Sequence, residues 1–264
     1  MKCQMGANAK MTSMKTITVF AFLMYVVSAS AEPPRSVERP EVVLGESWTY
    51  AGYENENKFT LKVEIDQLSD KDIRVVVTPN GLAGLAQLQV FDRQWNQIEV
   101  FKDGSRIVRF SPYLPVFKFP LEVGKVWAQH YDWQRMDLGD GNSGPETWAE
   151  SRERKASGRP NHGSTRVEGK VLGWEEISVP AGIFTALKIE LKSPHYAGPE
   201  TRRIFGKAEL FGGLLETYWY VPEVKRFVKY ESRLYINQQL KSSNGLDLVE
   251  HSMAPKAAPP GPTG

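Results

Sequence analysis

Through residues 58–65 the chain alternates, with Phe59, Leu61, Val63 and Ile65 on one side and Lys58, Thr60, Lys62 and Glu64 on the other. A period of two is what a strand with one buried face requires, because successive side chains point to opposite sides of the pleat. The same alternation carries Trp127, Gln129, Tyr131 and Trp133, and again Leu187, Ile189 and Leu191 against Lys188, Glu190 and Lys192. No segment of comparable strength repeats at 3.6 residues. Further strands are expected over 73–78, 88–91, 97–101, 106–110, 165–177, 217–221 and 226–236, with a short helix near 82–88. Turn signals punctuate them: Pro79-Asn80-Gly81, Lys102-Asp103-Gly104, Pro180-Ala181-Gly182 and Ser243-Asn244-Gly245. About a dozen short strands with such turns predict an all-β fold whose antiparallel strands curl into a roll, half-barrel or sandwich.

The first 31 residues read differently. Lys10 and Lys15 precede an apolar run, 17–27, that ends in Ala29-Ser30-Ala31, the order of a cleavable signal peptide. The run is too short for a membrane-spanning helix, which needs about 20 apolar residues. Cleavage after Ala31 and a periplasmic location are therefore expected, with Met1 and Met14 both open as the true start. An exposed, proline-rich lead-in, 32–41, follows; the β domain is placed at 42–252, and a disordered tail at 253–264. Within the β domain, 136–163 is rich in Gly, Ser and charge and reads as a flexible insertion loop. There is also an internal echo, Leu44-Gly45-Glu46-Ser47-Trp48 against Val123-Gly124-Lys125-Val126-Trp127, in which a glycine turn feeds a strand starting with tryptophan. It suggests two similar halves.

Trimming the leader changes the charge picture. The whole chain carries 33 Lys plus Arg against 31 Asp plus Glu, but the leader holds Lys2, Lys10 and Lys15 and no acid, so 30 bases remain against 31 acids. A near-neutral mature chain offers no basic stripe for nucleic acid. The single cysteine, Cys3, leaves with the leader, so no disulfide staples the mature protein and its core must hold it together.

Three motifs carry more than strand periodicity. They are Phe119-Pro120-Leu121-Glu122-Val123-Gly124-Lys125-Val126-Trp127, then Val179-Pro180-Ala181-Gly182-Ile183-Phe184 running into Leu187-Lys188-Ile189-Glu190, then Glu216-Thr217-Tyr218-Trp219-Tyr220-Val221-Pro222-Glu223-Val224 followed by Phe227-Val228-Lys229-Tyr230-Glu231. In this order they resemble bacterial periplasmic proteins classed under domains of unknown function, over about 44–236. The resemblance implies an exported protein of curled antiparallel strands and brings no catalytic residues with it. Each motif also serves as strand punctuation. Pro180 fixes φ for a turn, and Pro222 ends hydrogen-bonded pairing after alternation has sent Tyr218 and Tyr220 to one face and Trp219 to the other.

The search for chemistry is largely negative: the sequence holds no zinc-hydrolase helix motif, nucleophile elbow, glycine-rich phosphate loop or EF-hand spacing. No catalytic residue, metal site or cofactor is assigned. His130 shares a strand face with Asp132, Asp137 and Asp140 flank a glycine, and Glu175 and Glu176 point to opposite faces, none of which builds a site alone. The aromatic load is the remaining signal, with 7 Trp, 10 Tyr and 12 Phe. Trp127, Tyr131 and Trp133 occupy one face of a strand, and Trp148 lies in the insertion; these four are the candidate ligand-binding residues. The leading expectation is a non-enzymatic exported module for an envelope lipid, a glycan or a partner protein. The alternatives are an envelope hydrolase that uses acids such as Asp132 or Glu175, and a structural or assembly protein without a small ligand.

Overall fold

A computed structural model describes residues 33–135, 161–196 and 210–253. In chain order its strands are β1 (Ser36–Val37), β2 (Ser47–Glu54), β3 (Asn57–Leu68), β4 (Asp72–Pro79), β5 (Gln87–Asp92), β6 (Gln97–Lys102) and β7 (Ser105–Leu114). Then come β8 (Leu121–Glu122), β9 (Val126–Arg135), β10 (Asn161–Val179), β11 (Gly182–Tyr196), β12 (Leu210–Val221), β13 (Arg226–Ile236) and β14 (Gln239–Ser252). Twelve of them form one closed antiparallel barrel in the order β10-β11-β12-β13-β14-β2-β3-β4-β5-β6-β7-β9, and β9 pairs back onto β10. The all-β expectation holds, and the sheet closes fully where a roll or half-barrel was one reading. Closure leaves the main sheet no free edge.

Four local expectations change. Residues 82–88 hold only a three-residue 3₁₀ turn, Ala83–Leu85, before β5 begins. Ser243-Asn244-Gly245 is not a turn but the middle of β14; the reversal comes earlier, at Asn237 and Gln238, with φ of 50° and 63°. Gly245 serves instead for close approach, since a Cβ there would lie 2.6 Å from the Tyr53 ring. The lead-in is not wholly exposed: β1 pairs with β8, and Val37 is buried in the core. Residues 161–163, read as the end of the insertion, open β10. The leader, most of the insertion with Trp148, Asp137 and Asp140, and the tail from 254 onward lie outside the described residues.

The internal echo is structural. Gly45 and Gly124 adopt φ of 80° and 86°, in the left-handed region that suits glycine. Gly45 N donates to Ile65 O while Ile65 N donates to Glu46 O; Gly124 N donates to Val171 O while Val171 N donates to Lys125 O. Two six-stranded meanders, β2–β7 and β9–β14, thus begin in the same way. They continue alike: β6 and β7 are joined by Asp103-Gly104, β13 and β14 by Asn237-Gln238, each a two-residue turn with φ positive at both positions.

The two ends of the barrel differ. At one, called here the plugged end, Val116 and Phe117 turn inward after β7 and Leu121 is fully buried. Asn96 fixes this plug, its Oδ1 accepting from Val116 N at 2.8 Å and Phe117 N at 2.9 Å. Phe117 reaches the rings of Tyr218 and Tyr220, at 5.6 and 5.5 Å between centroids. Around it pack Trp48, Tyr50, Ile65, Ile73, Val75, Val171 and Leu187. Buried Glu46 accepts from Val43 N and pairs with His251 and Lys225, and His251 stacks on Trp48. The other end, the mouth, carries the turns at Asn55, Asp103 and Asn237.

No helix among the described residues is long and apolar enough to cross a membrane. The barrel's outward face is charged, as with Arg166, Glu168 and Lys170 on β10. A lipid-embedded barrel presents an apolar belt there instead.

Candidate binding site

Alternation on β9 separates two faces. Val126, Ala128, His130, Asp132 and Gln134 are exposed, while Trp127 is buried and Gln129, Tyr131 and Trp133 are half-buried. Register carries the second set to the inside: Trp127 stands opposite Gly169 and Trp133 opposite Gly163 on β10, and Phe110 of β7 is opposite Trp133. The expected aromatic stripe therefore exists and lines the lumen from the packed core toward the mouth.

The two tryptophans lie flat on the wall because the facing residues are glycines. A Cβ on Gly169 would come within 2.1 Å of the Trp127 ring, and one on Gly163 within 2.6 Å of the Trp133 ring. Phe59 lies over Gly52 in the same manner on the opposite wall. Aromatic rings spread over cross-strand glycines leave broad faces rather than protruding edges. Phe110 meets Tyr131 edge-on, with centroids 5.9 Å apart.

Inward alternation on β12 adds a group that stands at the head of the third motif but not among the four candidate binding residues. Glu216 shares the inner face with Tyr218, and register places it opposite Ser232 on β13. Tyr230 donates to Glu216 Oε1 at 2.7 Å and Tyr218 to the same oxygen at 3.3 Å. Burial raises the Glu216 carboxyl pKa, and the two tyrosine hydroxyls only partly offset that. Burial, helped by the Glu216 charge, pushes Tyr131 up to about 12, which brings β9 and β12 into one electrostatic neighbourhood across the lumen. Tyr218 and Tyr230 are raised for the same two reasons. The signal for Glu216 was present in the period of two: an acid two residues before Tyr218 must share its face.

Polar side chains complete the inner surface of this half. Tyr113 donates to Gln129 Oε1 at 3.2 Å, and Asn244 Oδ1, opposite Ser232, is buried without a hydrogen-bond partner. Such a surface of flat rings with a few polar groups can hold an apolar or sugar-like molecule by contact and orient it by hydrogen bonds.

The acids weighed for hydrolysis do not converge. Asp132 is opposite Ser164 on β10, and Glu175 lies eleven residues further along that strand, about 35 Å away at roughly 3.3 Å per residue. Asp132 and His130 are exposed on the outer face. Glu175 is engaged there by Trp219 Nε1 and Lys188; the Trp219 bond lowers its pKa most, burial opposes it, and Lys188 lowers it further. No group of metal-ligating side chains is assembled among the described residues.

No family model matches the chain, and no curated protein matches it. Among solved structures it is similar to the hypothetical lipoprotein YmcC of Escherichia coli K12, at 10% identity and a TM-score of 0.40, over 82% of this chain and 86% of that one. A predicted lipoprotein from Parabacteroides distasonis gives 13% identity and a TM-score of 0.37, over 82% and 99% of the two chains. A predicted exported protein with a YmcC-like fold from Bacteroides fragilis gives 17% and 0.34, again over 82% and 99%. At these TM-scores none of the three assigns an activity or a site to this chain.

Proposed function

We propose that this protein is an exported, non-enzymatic module of the cell envelope that holds a lipid-like or glycan molecule in the mouth half of its barrel. The observation that carries this reading is the inward stripe of β9, buried at Trp127 but only half-covered at Tyr131 and Trp133. An eight-stranded barrel is just filled by its own side chains or by one small ligand, and a wider ring encloses more. Here plug and core residues fill one half, while flat aromatic faces and polar groups line the other. The leader-like N-terminus and the motif resemblance support export. The separation of Asp132 from Glu175 favours binding over hydrolysis.

Native mass spectrometry of protein isolated from the periplasm, together with tryptophan fluorescence during titration with envelope extract, tests the proposal. A co-purifying molecule, or an emission shift lost in Trp133→Ala, is expected. Reproducibly empty protein with no response to extract refutes it.

A further inference from the structure

Among the described residues, the acid Glu216 on the inner face has no counter-ion. Both tyrosine hydroxyls converge on Glu216 Oε1, and among the described residues Oε2 has no hydrogen-bond partner. Among the described residues no basic side chain offsets its burial; the two tyrosine hydroxyls do so in part. Of the cations on neighbouring strands, Lys188 pairs with Glu175, Lys192 with Glu190, Lys229 with Glu231 and Asp247, and Arg233 with Glu231. Arg226 of β13 has no acid partner among the described residues, but it is buried toward the plug over the rings of Trp48, Trp95 and Phe227, six residues along the strand from Ser232, the residue opposite Glu216. Tyr218 and Tyr230, with ring centroids 4.8 Å apart, bond the acid directly, and Tyr131 lies within reach of its charge. An unpaired carboxylate among aromatic faces repels phosphate and carboxylate head groups, whereas an ammonium gains both ion pairing and cation–π attraction.

We infer that the ligand of this lumen carries a protonated amine, held at Glu216 Oε2 beside the rings of Tyr131, Tyr218 and Tyr230. The inference rests on the proposed binding role of the lumen and narrows it. The amine belongs either to an amino sugar or to an amine-bearing lipid head group; the chemistry at Glu216 is the same.

The test is fluorescence titration of the mature exported chain with four probes: a fully deacetylated chitotriose, its N-acetylated counterpart, and micelles of lysophosphatidylethanolamine or lysophosphatidylglycerol. In one of the two pairs the amine form is expected to bind at least tenfold more tightly than its partner, which also identifies the source. Glu216→Gln should reduce that preference to less than twofold. Tyr230→Phe removes a donor from Oε1, leaves the carboxylate in place, and should reduce the preference at least threefold; it serves if the first variant loses its fold by circular dichroism. Equal affinity within both pairs, or a preference that survives these variants, overturns the amine and leaves the binding role standing. No binding of any probe overturns the amine, and the binding role falls separately only if envelope extract is also without effect.

Discussion

Substitution of Gly169 by alanine sets two opposed effects against each other. In an unobstructed strand alanine is favoured over glycine by about 0.5–1 kcal/mol, because glycine loses more backbone freedom on folding. At Gly169 the new Cβ would lie 2.1 Å from Trp127 Cε2 and 2.2 Å from Cζ2, and Trp127 is only 7% exposed, so the ring has little room to retreat. Overpacking of this kind costs about 1–3 kcal/mol. A net loss of about 1–2 kcal/mol follows, which for a domain of this size lowers Tm by roughly 2–8 °C. Gly163→Ala makes the same clash with Trp133, at 2.6 Å, but that ring is half-buried beside the lumen. It can swing away from the wall, so stability should change by less than about 0.5 kcal/mol, the range of substitutions that strain no packing, while tryptophan emission shifts. Thermal unfolding followed by circular dichroism compares the two variants. A Gly169→Ala protein as stable as wild type refutes the packing argument. Gly163→Ala destabilised as strongly as Gly169→Ala shows the lumen to be filled at Trp133, and the binding role goes with it.

Asn96→Ala leaves the plug's Val116 N–H and Phe117 N–H without their acceptor; at about 1–3 kcal/mol per buried unsatisfied group, a loss of at least 2 kcal/mol in urea unfolding is expected, and a loss under 1 kcal/mol contradicts the pinning role. Glu46→Ala strips a fully buried carboxylate from Lys225 and His251 and should cost about 3 kcal/mol, read in the same assay. For Glu216 the sign follows from its raised pKa: the folded protein retains this proton at pH values where the unfolded chain has released it, so ionisation costs stability. Wild type should therefore gain on Glu216→Gln as pH falls from 7 toward the ordinary carboxylate range, and a Tm difference that stays constant over that interval contradicts the assignment.

Much of the barrel wall is legible in the sequence because a single buried face imposes its own period. Lys58 to Ile65 alternate in the chain and again in burial, and the same holds for β9. What escapes is set by partners distant in sequence. Closure depends on β14 reaching β2 and β9 reaching both β7 and β10, which no local pattern announces. Gly245 looks like turn chemistry, yet its absent side chain admits the ring of Tyr53, nearly two hundred residues away. Val37, in a stretch read as exposed, is buried because β8 pairs with β1. The echo at Gly45 and Gly124 was visible, and the reciprocal bonds to Ile65 and Val171 give its physical reason.

The distribution of polar side chains argues that the two halves of the lumen have different work. Near the plug the inward positions include Trp48, Tyr50, Ile65, Ile73, Val75, Val171 and Leu187, whose packing is what a disulfide-free domain needs for stability, with the polar groups Glu46, Asn96 and Arg226 buried among them. Toward the mouth the same inner face carries Gln129, Thr165, Glu216, Ser232 and Asn244. If that half existed only to be filled, aliphatic side chains would serve better, since each inward polar group costs stability unless it is hydrogen-bonded. Tyr113 and the tyrosine pair satisfy Gln129 and one oxygen of Glu216, while Asn244 Oδ1 is buried with no protein donor among the described residues. The unpaired Asn244 acceptor and the one-sided hydrogen bonding of Glu216, on one inner face beside flat aromatic rings, are what the proposed guest would meet with its own donors.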